Sequence, residues 1–539
     1  MRTEGAAAPA ATPAPPATGR VAAIAVAALT VAAALFHAFA IGRDPLWMDE
    51  ACTWFTIEHG AAAAVTGERS AGNPPLFFLA AWASTALLGP SEAALRLPSL
   101  LAAVALVPLG FLAGARYAGR RAGVVAAALF AFGPLVHHYA IEARNYALLM
   151  AEVALYLLAL ERALRPTARP RAWAAVALLL AAMLYTHNYG LFFLPVSVAA
   201  AAVGALGRPG AWRRATAGSC LAAAAAFAAY LPFFVRALGH AQSAVTEWLL
   251  RYWEQMSPIG MLAWSFTTFG VGGTFPDYLG TLGRAPSAGI AAVALSLALP
   301  LCALAGWPRG DDERARARGV ERAPRPSLAV LAVLALGPLV VALGYSLAVA
   351  PIYLPGRYDT IALPPFVLLY AAGLERVART PAGWPIALAV VVFTVASHGH
   401  AFDPPAASKD RLAALHIAQR ARPDDVVVTT GYRRCVTAYY LRRAASPVEV
   451  VSFPSAMARH PGWYSERLFL EDRDALASDA RAIAASPHAV WVVRSTHDAV
   501  NAFLLDALAA EHGADAASAS EALGVERFAR TATRDGGTR

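Results

Sequence analysis

Apolar runs close to twenty residues long recur through the first 400 positions, separated by short segments in which arginines gather. A helix needs about 20 mostly apolar residues to cross the hydrocarbon of a bilayer. The runs at 21–42, 97–115, 123–139, 146–161, 172–186, 189–206, 215–235, 286–306, 327–349, 359–374 and 384–400 meet or approach that length. They predict a polytopic α-helical membrane protein of eleven spans, the shorter ones tilted or irregular at their ends. Residues 75–88, PLFFLAAWASTALL, are apolar but short and open on a proline pair. They predict an interfacial or re-entrant helix within a first outer loop spanning 43–96. From 401 the pattern changes. KDRLAALHIAQRARPDD has amphipathic helical spacing, DDVVVTT and AVWVVRS read as short buried strands, and DAVNAFLLDALAAEHG reads as a helix after the second strand. A small α/β domain over 401–530 is expected. The Ala- and Pro-rich residues 1–20 and the final 531–539 are expected to be disordered tails. The first apolar run is too long for a signal-peptide core, so it is expected to stay as an uncut helix despite the A-F-A at its end.

Charge orients this pattern. Only 15% of residues are charged, against about 25% in soluble proteins. The net charge of +9 comes almost entirely from arginine, Lys409 being the sole lysine. With the N-terminus in the cytoplasm and alternating crossings, one side receives Arg116, Arg120 and Arg121; Arg162, Arg165, Arg169 and Arg171; Arg208, Arg213 and Arg214; six arginines from Arg309 to Arg325; and Arg376 with Arg379. That is the positive-inside pattern, and it accounts for the basic balance without a nucleic-acid partner. The C-terminal domain then lies outside. The four cysteines show no metal-ligand spacing. Cys220 and Cys302 fall in apolar runs and are expected to be small core residues. Cys52 and Cys435 share the outer compartment, which leaves a disulfide open, but nothing in the sequence brings them together.

Sorting polar residues by side changes the picture. The outer face collects Asp49 and Glu50 in WMDEACTW, Asn73 in GNPPL, Glu142, Arg144 and Tyr146 in IEARNYAL, His187 with Asn188 and Tyr189 in YTHNYG, and Arg357, Tyr358 and Asp359 in YLPGRYDT. The inner loops offer almost only arginine. Each group alone has a plain reading: a solvated turn for Asp49 and Glu50, an ion pair for Glu142 and Arg144, a helix cap for His187, a snorkelling anchor for Arg357, packing for His137 and His138. Their convergence on one face favours a site. An aspartate can take a proton from a hydroxyl, and arginines can hold a phosphate. Tyr, Trp and His suit a sugar, and the apolar body suits a lipid tail. The mixture points to transfer of a group from a lipid phosphate to a hydroxyl. Trp47 and Trp54 are expected to hold the acidic loop at the interface. His138 and Glu142, four apart, leave a metal site open.

Two other classes compete. A transporter or flippase of lipid-linked sugars should show polar residues deep in several spans and internal repeats, and neither is evident. A surface-polysaccharide ligase or polymerase should carry its key residues in one large late outer loop. The only such loop, 236–285 with Trp248, Arg251, Trp253 and Trp264, lacks a compact acid–histidine–arginine set.

In their order these motifs resemble the bacterial family 39 members of the GT-C class of integral-membrane glycosyltransferases, akin to protein O-mannosyltransferases and lipid A aminoarabinose transferases. The resemblance runs over about residues 21–400: WMDEACTW, GNPPLFF, GPSEAALRLPSLL, YAIEARNYALLM, THNYG and PGRYDTIALPP. It implies a polyprenyl-phosphate-linked sugar donor, a lipid or glycan acceptor, inversion at the anomeric carbon, no cofactor or catalytic metal, and a place in the bacterial cytoplasmic membrane. Carried over, Asp49 is the base, Glu50 shapes the acceptor site, and Glu142, Arg144 and Tyr146 contribute from the second outer loop. Arg357 lies at the donor phosphate, with Arg96 a weaker candidate and Asn73, His187 and Tyr358 lining the substrate site. One position departs: the aminoarabinose transferases have a Lys before PPL where this chain has Asn73, which shifts phosphate binding to Arg144 and Arg357 and weakens lipid A as acceptor. The tail lacks the β-trefoil of eukaryotic O-mannosyltransferases, so a protein acceptor is not supported.

Overall fold

The computed structural model describes residues 17–66, 72–207, 209–238, 247–272, 286–306, 327–381, 383–398, 407–458, 464–495 and 498–530. Most of the N-terminal tail, the 531–539 tail, the Arg309–Arg325 cluster and the side chains of Trp248 and Arg251 lie outside the described residues.

Helices occupy the apolar runs: Ala17–Ala40, Glu92–Tyr117, Tyr146–Ala163, Pro170–Thr186, Gly190–Gly204, Pro209–Leu238, Pro286–Ala305, Leu328–Ala348, Leu363–Val377 and Gly383–Ser397. The run at 123–139 is broken into Arg120–Phe132 and Pro134–Ala140, bent by 50°. The cause is local. Gly133 takes an extended ψ of 124°, and Pro134 has no N–H to continue the ladder, so it opens a new helix instead. Among the described residues, five helices are long and apolar enough to cross a membrane, six if the bent pair is one span. The chain is a multi-pass membrane protein. Pro170–Thr186, Gly190–Gly204 and Gly383–Ser397 are shorter apolar helices, and Tyr146–Ala163 carries Glu152, Glu161 and Arg162.

Glu92–Tyr117 and Arg120–Phe132 form a tight hairpin. A Cβ added to Gly114 would lie 2.8 Å from the Gly123 Cα, so the two backbones touch and neither glycine admits a side chain without separating them. At that end of the bundle Arg116 and Arg165 pair with Glu161 at 3.0 and 2.8 Å. The opposite end is where the residues that the sequence assigns to the outer face gather.

In the first loop Met48–Ile57, Ala61–Thr66 and Leu76–Leu88 are helical. Leu76–Leu88 has 13 residues, about 20 Å at 1.5 Å per residue, too short to span alone. It turns Phe77, Phe78 and Ala81 inward and leaves Trp82, Leu87 and Leu88 exposed.

Residues 409–530 hold a sheet of five strands, β1 Val426–Thr430, β2 Glu449–Phe453, β3 Val490–Val493, β4 His512–Ala514 and β5 Val525–Arg530, in the order β2-β1-β3-β5-β4. β1 pairs parallel with β2 and β3, and β5 runs antiparallel between β3 and β4. Strands β1 and β3 are buried along nearly their whole length because helices cover both faces. Trp491 in β3 donates from Nε1 to Asp425 at 2.9 Å and lies under Arg527.

Most of the membrane helices share one apolar core, the first helix packs in a small cluster on Val107, Ala127 and Ala131, and another core joins the first-loop helices to the C-terminal domain. The helix Arg434–Arg443 packs on Met48–Ile57. Trp54 is buried there, 5.3 Å from the Tyr439 ring. The expectation that Trp54 anchors the loop at the membrane interface therefore gives way: it is a docking residue for the C-terminal domain. Cys220 and Cys302 also depart from expectation, being exposed on their helices and not in the core.

Candidate active site

Asp49 and Glu50 open the helix Met48–Ile57, where negative charge meets the helix N-terminus. Successive residues on a helix diverge by about 100°, so the two carboxylates face different partners. Glu50 is 1% exposed and forms a two-pronged pair with Arg96: Nε to Oε1 at 2.6 Å and Nη2 to Oε2 at 2.7 Å. It also accepts the Ala143 N–H at 2.8 Å. Arg96 spends its other donors on the main-chain oxygens of Ile41 and Asp44, at 3.0 and 2.8 Å. Arg96 is thus committed to the loop and is not presented to a phosphate, and Glu50 ties the loop to the 141–145 segment.

Asp49 is partly exposed and pairs with Arg357 Nη2. Arg144 Nη1 approaches the Asp49 main-chain oxygen at 3.5 Å. Burial opposes ionisation of Asp49, but the charges of Arg357 and Arg144 outweigh it and hold the carboxyl below its usual range. Arg144 keeps its Nε buried without a hydrogen-bond partner among the described residues. Beside it Thr53, Asn73, Phe77, Phe78 and Asn145 line a small cavity with Arg144 itself.

Arg357 is held from several directions. Its Nε donates to the Tyr146 hydroxyl at 2.9 Å, and its guanidinium lies 5.5 Å from the Trp47 ring and 5.6 Å from the Tyr358 ring. The Tyr139 and Tyr146 rings lie 4.5 Å apart, tilted by 45°; Tyr146 and Tyr358 each lie 5.7 Å from His187. Nδ1 of His187 accepts the Tyr189 N–H at 3.0 Å, which leaves the proton of the neutral ring on Nε2. Burial and the nearby arginines push His187 down to about 3, so the ring is neutral at physiological pH.

The structure brings together Asp49, Arg144, Tyr146, His187, Arg357 and Tyr358. Asn73 lines the cavity beside Arg144. Glu142 turns away to His138, at 3.3 Å, and among the described residues no group of three His, Cys, Asp or Glu converges as metal ligands. Thr53, Phe77, Phe78 and Asn145 were not singled out by the sequence; aromatic and small polar side chains within helices, or at a helix start like Asn145, carry no distinguishing signal there. Glu152, not singled out by the sequence, is buried six residues into Tyr146–Ala163 and accepts from Thr186 Oγ1 at 2.7 Å; it is one acid in one helix, short of the polar residues in several spans that a transporter would show.

An acid held ionised beside two arginines sits at the mouth of an apolar helical bundle, in a chain that has the fold of the GT-C integral-membrane glycosyltransferases. Residues 72–236 match the family described as dolichyl-phosphate-mannose-protein mannosyltransferase. The chain is similar in structure to ArnT from Cupriavidus metallidurans bound to undecaprenyl phosphate, with a TM-score of 0.56 at 16% identity over 96% of this chain and 99% of that one. The apo form of the same ArnT gives 0.54 at 15% identity, over 96% and 98% of the two chains. Comparison with curated proteins finds no match.

Proposed function

We propose that the protein is a glycosyltransferase that moves a sugar from a polyprenyl-phosphate-linked donor to a hydroxyl of an envelope lipid or glycan. The reaction runs at the outer face of the bacterial cytoplasmic membrane, with eleven crossings, the N-terminus inside and the C-terminal domain outside. The Asp49–Arg357–Arg144 cluster carries this reading. The likeness in fold to ArnT bound to undecaprenyl phosphate supports the donor class.

The donor phosphate enters between Arg357 and Arg144, where the free Nε of Arg144 supplies a ready donor. Arg357 then divides its charge between phosphate and Asp49, which raises the proton affinity of Asp49 as the donor binds. Asp49 takes the acceptor proton, the oxygen attacks the anomeric carbon from the opposite side, and polyprenyl phosphate departs with its charge held by the two arginines. Inversion follows from the single displacement. Glu50 and Arg96 position the loop; Tyr146, His187 and Tyr358 shape the sugar pocket.

The test is transfer of label from radiolabelled polyprenyl-phosphate hexoses or pentoses to extracted envelope lipids and glycans, using purified protein with EDTA present. Wild type should transfer label and Asp49→Asn should not. Equal transfer by a folded Asp49→Asn protein overturns the mechanism. Donor movement across liposomes without transfer would assign the chain to flipping instead.

A further inference from the structure

Cys52 lies on the helix that carries Asp49 and Glu50, and Cys435 near the start of the C-terminal helix packed against it. Contacts bracket the two cysteines on every side. The Leu46 N–H donates to the Tyr440 hydroxyl at 2.7 Å, Trp54 meets Tyr439, Arg434 sits 5.9 Å over the Phe55 ring, and Arg442 pairs with Glu58 at 3.3 Å. Cys435 is a fully buried member of the apolar cluster formed there, and half-buried Cys52 packs against that cluster. Burial and the neighbouring Cys52 thiol push the Cys435 thiol up. Cys220 and Cys302 sit exposed on separate membrane helices and take no part.

We propose that Cys52 and Cys435 form a disulfide that clamps the helix bearing the proposed catalytic aspartate to the C-terminal domain. The oxidant is a disulfide-carrying exchange partner, a thiol oxidoreductase or a small-molecule disulfide. The more accessible Cys52 thiolate attacks one sulfur of that partner and displaces a thiolate, giving a mixed disulfide. The Cys435 thiol gives up its proton and attacks the Cys52 sulfur, releasing the partner's second thiolate. Two cysteine thiols lose two electrons and two protons, and the partner's disulfide becomes two thiols. Formation of the bond in the cell rests on the outer placement proposed above, since thiols on the inner side stay reduced. The pairing itself does not.

The experiment therefore uses full-length purified protein equilibrated with mixed oxidised and reduced glutathione, quenched in acid, alkylated and digested without reduction for mass spectrometry. A peptide joining Cys52 to Cys435 is expected, at least about tenfold above any link to Cys220 or Cys302, and lost on reduction or in Cys435→Ser. Free alkylated Cys52 and Cys435, or separate glutathione adducts on them, overturn the pair. Cys52→Ser should leave Cys435 slow to alkylate in the folded protein, a check that the variant keeps the docked interface. A bond that forms in purified protein but is absent from acid-trapped cells counts against the outer placement and leaves the pair standing.

Discussion

Replacing Arg96 by Met tests how the acidic loop is held. Arg96 is 3% exposed and fastens residues 41–50 through the Glu50 carboxylate and the Ile41 and Asp44 carbonyls. Methionine fills much of the same volume but leaves Glu50 buried without its partner. Removing one member of a buried ion pair costs about 3–5 kcal/mol. At about 1.4 kcal/mol per decade, local opening of residues 41–51 should become roughly 100- to 3,000-fold more frequent. Hydrogen exchange by mass spectrometry in detergent or nanodiscs reads this directly, with the membrane helices as the internal reference. Adding Glu50→Gln to Arg96→Met should recover part of the protection, because the amide still accepts the Ala143 N–H and carries no charge. Transfer activity should fall with the loss of protection, since Asp49 rides on the same helix. Protection of 41–51 in Arg96→Met within about threefold of wild type would refute the reasoning.

Arg357→Lys should lower transfer by at least about tenfold, because a point charge cannot serve both Tyr146 and Asp49 as the guanidinium fork does; equal turnover would sink the proposed role. The depressed Asp49 carboxyl contributes stability that is present above the usual carboxylate range and lost only as pH falls through its lowered value, so thermal melts should show no Asp49-dependent change in stability between pH 5 and 8. His187 acts with the opposite consequence. Held neutral down to about 3, it binds fewer protons folded than unfolded, so thermal stability should decline as pH falls below its ordinary 6.5, and His187→Asn should flatten that slope. Trp54→Ala should release the C-terminal domain, at a cost of about 3–5 kcal/mol, seen as faster proteolysis of residues 409–530 while the membrane bundle stays intact.

The sequence made some of this site visible because its parts interrupt uncharged surroundings. Asp49, Arg144, His187 and Arg357 each end or begin a long apolar run, so hydropathy and loop charge isolated them. The division of labour between Asp49 and Glu50 was hidden, since adjacent letters do not say which way two helical side chains diverge. Glu152 escaped notice because one acid in an apolar run barely changes its mean hydropathy. In the sheet, β1 and β3 were readable as continuous valine-rich stretches. EVVSF and VERFAR, the strands β2 and β5, mix charge into their alternation and give no such contrast. The nearness of Cys52 and Cys435 depends on a domain folding back over the first loop, which no local pattern reports.

The turn that precedes Tyr358 has one further consequence. Gly356 has a φ of +71° and lies against Thr268, so the chain bends there where a side chain would be strained. The Tyr139 hydroxyl donates to the Gly356 carbonyl and the Tyr189 hydroxyl to the Ile352 carbonyl, both at 2.5 Å. The helix Pro134–Ala140 and the turn that opens Gly190–Gly204 thus pin the backbone on either side of Leu354 before any substrate arrives. The entropy of fixing Arg357 is lost once, during folding, and is not charged to each turnover. In the proposed reaction, a lipid-borne phosphate, itself confined to two dimensions, would diffuse to a cation that does not have to search for it. Tyr139→Phe or Tyr189→Phe would hand part of that search back to the substrate.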